Sequence, residues 1–349
     1  MFDADQSNGG VWLKRWTFLT AAATFGLIWM GGLVTSHNAG LAVPDWPNSY
    51  GYNMFFFPVS KWIGNIFFEH THRLAASAVG FFTTVLAVWA YVARAPKWLR
   101  TLSVIAFFGV VLQGVLGGLR VIELADWIGI FHATIAQLFF LLVAAMALLQ
   151  TNFWRRLPWR GETDRFGTRT LLVVTTCLVL GQLMLGATMR HQHAGLSIPD
   201  FPAAYGKVWP DTDPAAIAHY NQMRAEAAGE NPITAAQVIL QMVHRMMAAV
   251  IVCMVATCLV HTWRRFGSDH WLTRGAMIWM GLVLTQAFLG AATIWTGKSA
   301  DVATAHVACG ALCLLTGGLT SLVAFRILAA PEMEDATVKT MFAPSSVPR

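Results

Sequence analysis

Along the chain, apolar runs of about twenty residues alternate with short polar or basic segments. Runs over 16–35, 69–92, 101–120, 129–152, 170–190, 237–261, 274–294 and 302–327 are each long enough to cross a bilayer. A helix satisfies its backbone N–H and C=O groups internally, which an open strand in hydrocarbon cannot do. The pattern therefore predicts an all-α integral membrane protein of eight transmembrane helices. Basic residues gather in alternate connections: Lys14 and Arg15 before span 1; Arg94, Lys97 and Arg100 between spans 2 and 3; Arg155, Arg156, Arg160, Arg165 and Arg169 between spans 4 and 5; Arg264, Arg265 and Arg274 between spans 6 and 7. Such residues stay on the cytoplasmic side, which predicts that both termini are cytoplasmic.

Composition agrees with that picture, with 56% hydrophobic and 12% charged residues. The formal net charge of +6 is accounted for by the basic connections, so no nucleic-acid partner is needed to explain it. Lys14 and Arg15 precede the first apolar run as in a signal peptide. That run continues for a full span, however, and is expected to be a retained helix. Asp3 and Asp5 do not suit an acid-poor transit segment, so a bacterial plasma membrane is the expected location, with the lipid bilayer as solvent. All five cysteines fall within predicted helices, which does not indicate a disulfide framework. Cys309 and Cys313, one turn apart, read as small packing residues before they read as metal ligands.

The chain repeats itself. Ala39-Gly-Leu-Ala-Val-Pro-Asp-Trp-Pro-Asn-Ser-Tyr-Gly51 returns as Ala194-Gly-Leu-Ser-Ile-Pro-Asp-Phe-Pro-Ala-Ala-Tyr-Gly206. Glu69-His-Thr-His-Arg73 returns as Gln241-Met-Val-His-Arg245, Gln113 through Gly117 as Gln286 through Gly290, and His132 as His306. Each copy holds an even number of spans, so the repeat is parallel and predicts two pseudo-symmetric four-helix bundles. The expected division is an N-terminal half over 1–155, a cytoplasmic linker over 156–170, a C-terminal half over 171–330 and a cytoplasmic tail over 331–349. A polar insert over 211–232 in the second half suits an exposed outer segment. The Pro-Asp-aromatic-Pro loop is either a rigid connection or a lid whose Trp46 and Phe201 dip over something bound between helices.

His72, His132, His244 and His306 stand near the outer starts of spans 2, 4, 6 and 8. One such histidine is most simply an interhelical hydrogen-bond partner. Two per half, at related positions and similar depth, meet the requirement for two axial ligands on a flat haem iron. Zinc suits them less, because a structural site wants four ligands. Arg73 and Arg245, next to two of these histidines, would pair with haem propionates or else reach toward headgroups. Glu69 lies three residues before His72 on the same helix face, and its counterpart Gln241 cannot ionise. The difference points to acid–base or cation-stabilising chemistry in the first half and electron handling in the second, unless Glu69 is only a helix-entry charge. Most of the other histidines, His37, His70, His191, His193, His219, His261 and His270, are expected to be solvated.

Together, Glu69-x-x-His72-Arg73, Gln241-x-x-His244-Arg245, the lone His132 and His306, the doubled Gly-Leu-x-x-Pro-Asp loop and eight spans resemble the haem A synthase family, from about Gly26 to Ala324. The resemblance implies oxidation of the C8 methyl of haem O, through an alcohol and a geminal diol, to the formyl group of haem A for cytochrome oxidase. By matched position it implies His72 and His132 around the substrate haem O, and His244 and His306 on haem B as electron carrier. Glu69 would be the essential acid near the reacting methyl. It further implies haem O and haem A as ligands, with haem O synthase and cytochrome oxidase assembly as partners; a homo-oligomer is compatible with it. The outer-loop cysteine pairs of some members are absent here, so no thiol step assigned to them carries over. Two rival classes remain: a non-catalytic dihaem b-type electron-transfer protein, which does not need the Glu69/Gln241 difference, and a transporter working at the repeat interface.

Overall fold

The computed structural model describes residues 8–159, 161–164, 167–228 and 232–329; Arg160, Arg165, Glu230 and the expected tail over 331–349 lie outside the described residues. The first half contains α1 (Asn8–Ser36), α2 (Gly64–Val92), α3 (Lys97–Glu123) and α4 (Asp126–Leu149). A short α5 (Asn152–Arg156) and strand β1 (Glu162–Thr163) lead into the second half. That half holds α6 (Thr168–His191), an outer helix α7 (Pro214–Ala228), α8 (Ala235–Phe266), α9 (Trp271–Trp295), α10 (Ala300–Ile327) and strand β2 (Leu328–Ala329). Among the described residues eight helices are long and apolar enough to span a membrane, and the protein is an all-α integral membrane protein.

Local chemistry explains where the helices depart from the apolar runs. Thr234 and Gln237 form a reciprocal capping box that starts α8 ahead of its first apolar stretch. Asp126 stands in the first turn of α4, where the helix dipole favours an anion. Span 4 stops at Leu149, three residues before its apolar run ends, because the Thr151 side chain accepts from Trp154 N–H and starts α5.

Helices α1, α2, α3 and α4 pack in a closed ring, and α6, α8, α9 and α10 make a second ring. The rings meet where α1 and α4 lie against α6 and α10. Helix α10 is the most enclosed span, and its buried face is built of small residues: Ala303, Ala308, Gly310, Ala311, Gly317 and Ala324 among them. Lipid gives helices no hydrophobic reason to associate, so close backbone approach through small residues supplies the contact. A Cβ on Gly317 would come within 2.4 Å of the fully buried Trp279 ring, and one on Gly318 within 2.6 Å of Leu141. Cys309 and Cys313 belong to this face and are buried as small residues.

Strand β1, which precedes α6, pairs in parallel with β2, which follows α10. Asp164 accepts from the Thr168 and Arg169 amides and forms ion pairs with Arg169 and Arg265. The linker is thus tied to the start of α6, the end of α8 and the strand that follows α10.

The insert is largely exposed, as its polarity leads one to expect, and buries Tyr220. It folds into α7 and lays Tyr220 flat on Tyr205, with ring centroids 3.6 Å apart and planes 5° apart. Arg224 of the same helix donates to Leu196 O at 2.7 Å. A sequence polar overall still buries one aromatic face, because the loop beneath it offers an aromatic partner.

Candidate functional site

The two Pro-Asp-aromatic-Pro loops are nearly superimposable in their bonding. The Asp45 carboxylate accepts from Tyr50 N–H at 2.7 Å and Gly51 N–H at 2.8 Å; Asp200 accepts from Tyr205 N–H at 2.7 Å and Gly206 N–H at 2.9 Å. Tyr50 O–H donates to Ala42 O, and Tyr205 O–H to Ser197 O. Gly51 and Gly206 take φ of 76° and 75°, a left-handed turn that favours glycine.

Arg73 and Arg245 find their partners in these loops rather than in open space. Arg73 donates to the carbonyls of Val43, Asp45 and Asn48 and to Glu69 Oε1 at 2.7 Å. Arg245 donates to the carbonyls of Ala203 and Asp200. A planar five-donor group beside a loop of inward-turned carbonyls is thus engaged by the loop, although Nε of Arg245 is buried without a partner.

Glu69 is buried, with Oε2 accepting from Val43 N–H at 2.8 Å and Oε1 paired with Arg73. Gln241 reproduces the first bond, Oε1 accepting from Ile198 N–H at 2.7 Å, while its amide nitrogen faces the Gly195 and Ile198 carbonyls. Both residues hold a loop, but only Glu69 brings a charge.

Trp46 packs against the first bundle. Its ring lies on α3 so closely that a Cβ at Gly118 would fall 2.3–2.7 Å from three of its atoms. In the second half Phe201 meets Trp295 edge-on, and the position matching Gly118 is Ala291.

Beneath the loops stand the four histidines, and each rests against a glycine of a neighbouring helix. A Cβ on Gly31 of α1 would meet His72 Cε1 at 3.2 Å, and one on Gly117 of α3 would meet His132 Cε1 at 3.4 Å. In the second half Gly186 of α6 stands so to His244 at 3.3 Å, and Gly290 of α9 to His306 at 3.1 Å. All four rings lie about 9–14 Å along their helices from the first residue, at 1.5 Å per residue. His72 and His132 are within electrostatic reach of each other, as are His244 and His306. Gln113 sets its amide against His132 Nδ1 at 3.0 Å, and Gln286 stands 3.5 Å from His306 Nε2.

These residues fit a flat, metal-bearing group. Nδ1 of His72, His244 and His306 is buried without a hydrogen-bond partner, an uncommon state for a ring nitrogen. Each of the four residues is nevertheless partly exposed, with its ring resting against a glycine of a neighbouring helix. Between α6 and α8 an open apolar groove of about 410 Å³ is lined by Leu178, Val243, Met246, Met247, Val250 and Trp209; none of the four histidines lines it. Among the described residues no three His, Cys, Asp or Glu side chains converge as a protein-only metal centre. Two imidazoles per half therefore suit a metal that brings its remaining ligands with it, as haem does.

Residues 14–317 match the COX15-CtaA family, described as cytochrome oxidase assembly protein. The chain belongs to this family. Among its relatives, the heme A synthase of Geobacillus kaustophilus is 26% identical over 308 residues, covering 84% of this chain and 86% of the relative. The heme A synthase of Alkalihalophilus pseudofirmus is 24% identical over 300 residues, covering 84% and 91%. That of Shewanella oneidensis is 24% identical over 326 residues, covering 87% and 93%.

Within this COX15-CtaA member, sequence reasoning missed Gly31 and Gly186. Their signal was available, since the 155-residue offset that aligns the two loops also aligns these two glycines. Several histidines expected in solvent are internal instead. His70 is fully buried, accepts or donates at Ser49 Oγ at 3.2 Å and packs against Phe57 and Trp62. His191 is buried over Gly129, His37 stacks on Phe68, and His261 bonds Thr168. Aromatic neighbours and hydroxyls from other elements, invisible in a linear reading, take these rings out of water.

Proposed function

We propose that this chain is a haem A synthase that oxidises the C8 methyl of haem O to the formyl group of haem A. The observation that carries the reading is the fourfold fit of imidazole to glycine, together with a buried carboxylate in one half where the other has an amide, Glu69 against Gln241. The names of the bacterial relatives support the same activity. On this reading His72 and His132 hold the substrate haem O, while His244 and His306 hold haem B, which supplies electron transfer when bound. The glycines let the imidazoles lie close to the neighbouring helices, so their orientation is set before a ligand arrives. Trp46 and its loop cover the outer end of the first site and exclude water. Glu69, coupled to the loop through Val43 and to Arg73, places a negative charge at that site for acid–base or cation-stabilising work. The proposed setting is a bacterial plasma membrane with both termini cytoplasmic, in working contact with haem O synthase and cytochrome oxidase assembly. The proposed division is a catalytic half over 1–155 and a haem B half over 171–330.

The second reading is a non-catalytic dihaem electron-transfer protein. It is favoured by the shared structural duty of Glu69 and Gln241, each accepting a loop amide. Expression together with a haem O synthase, followed by extraction of the haems, separates the two. Wild type should yield formyl haem, and Glu69→Gln should keep its pigment and yield none. Because Gln241 already performs the loop contact, that variant removes charge without removing the contact. Wild type that never forms haem A would establish the electron-transfer reading instead.

A further inference from the structure

Three cations near the outer ends of the sites have no counterpart in the repeat. Arg120 on α3 matches Thr293, Arg190 on α6 matches Thr35, and Lys298 before α10 matches Leu124. Arg120 is lodged between two glycines. A Cβ on Gly40 would meet its Nη1 at 2.5 Å, and one on Gly129 its Nε at 2.8 Å, with His191 Cε1 covering Gly129 at 2.3 Å. Gly129 stands one turn before His132 on α4, so Arg120 covers the turn next to an imidazole of the first site. It donates to Gly40 O at 3.2 Å; His72 and His132 feel its charge, and the Glu69 and Asp126 carboxylates lie within electrostatic reach without forming an ion pair with it among the described residues.

Arg190 reaches across the seam between the halves. It donates to Gly32 O at 2.8 Å and to Ser36 Oγ at 2.5 Å; Ser36 in turn bonds Thr304, two residues before His306. His306 and Lys298 both feel its charge. Burial, and then Arg190 beside it, hold the Lys298 ammonium below its ordinary pKa. No carboxylate among the described residues forms an ion pair with Arg190 or Lys298. Two neighbouring cations at the edge of hydrocarbon, without an anion, are costly unless a ligand supplies one.

We propose that Arg120 at the first site, and Arg190 with Lys298 at the second, receive the carboxylate side chains of the bound tetrapyrrole. The proposal rests on the haem reading above. It moves the anion-binding role away from Arg73 and Arg245, whose guanidinium groups hold the loops. A guanidinium with free N–H groups in a dry setting is the side chain best suited to a carboxylate.

The test compares haem B with its dimethyl ester, whose carboxylates are blocked, on the full chain purified in detergent and stripped of pigment. Wild type should bind the acid more tightly than the ester by roughly tenfold or more. Arg190→Met should bind the two alike, and Lys298→Met should narrow the gap. With the second site filled by haem B, Arg120→Met should likewise lose its preference for haem O over the haem O ester. An Arg190→Met protein that keeps the full preference, or a preference lost in Arg245→Met instead, would overturn the assignment. If Arg190→Met takes up neither ligand, Arg190→Lys decides: a retained preference supports the proposal and an abolished one overturns it. Wild type that takes up neither form would bring down the haem reading itself, and this proposal with it.

Discussion

The two halves share a frame and differ at its outer end. In both, an aspartate closes a loop around two amides, an arginine gathers the loop carbonyls, and two imidazoles rest on two glycines. In the first half the layer under the loop holds Glu69, His70 and Ser49; the second half has Gln241, Met242 and Ala204 there. All three changes run from a titratable or hydroxyl-bearing side chain to one that cannot take part in proton transfer at neutral pH. All three first-half residues are buried. The aromatic contact changes in a compensating way: large Trp46 goes with Gly118, and smaller Phe201 with Ala291 at the matching place. The repeat keeps the loop frame and the four imidazole–glycine contacts, while these differences collect in the layer under the loop.

The largest expected effect comes from exchanging the asymmetric pair. Glu69→Gln should lower haem A formation by about 10²-fold or more, the scale of removing a positioned acid–base group. Gln241→Glu should leave haem A formation near wild type. Equal losses in both variants, measured by haem extraction, would mean that the loop contact rather than the charge matters.

Next is the aromatic wedge. Gly118→Ala sets a methyl inside the Trp46 ring and should cost about 1–3 kcal/mol of stability, as overpacking does. Adding Trp46→Phe, which imitates the second half, should restore most of it. Thermal unfolding in detergent reads both steps, and failure of the double variant to recover would break the idea of size compensation.

A smaller effect is expected at the glycines. Gly290→Ala would place Cβ 3.1 Å from His306, so the ring must shift by a few tenths of an ångström. The optical spectrum of the haem B site should change while that of the first site stays as it was. Gly117→Ala, at 3.4 Å, should change less.

The smallest effect is on pH dependence at the first loop. Burial works against ionisation of Asp45, but the Gly51 and Tyr50 amides outweigh it and hold the pKa below its ordinary 3.8. A group depressed in the folded state stabilises fully above its unfolded pKa, and that contribution is lost as pH falls through the lower folded value. Acidification below about 3.8 should therefore loosen this loop, by about 1 kcal/mol for the lost charge-assisted bonds. Protease sensitivity of the loop against pH measures it, and Asp45→Asn should flatten the profile.

Much of the frame was legible in the linear sequence because its signals are periodic or repeated. Apolar length located the eight spans, and self-alignment located the loops and the four histidines. The loop contacts of Arg73 and Arg245 and the burial of His70 were not legible, because each depends on what lies across from it. Arg73 meets three loop carbonyls that only a folded turn points inward, and His70 is closed in by Phe57 and Trp62. The polar α7 likewise hid its buried Tyr220, since one aromatic contact barely registers in a segment average.

The sequence alone determined that this protein lives in a membrane, that it is built twice over, and that one copy carries a carboxylate where the other carries an amide. Those facts follow from hydrophobicity and repetition, which act residue by residue along the chain. Only the tertiary structure decided which glycine faces each imidazole, where the arginines direct their N–H groups, and which cations between the halves form no ion pair with a carboxylate among the described residues. Hydrogen bonds and close packing depend on atoms a few ångströms apart, and the chain sets such distances only when distant segments meet.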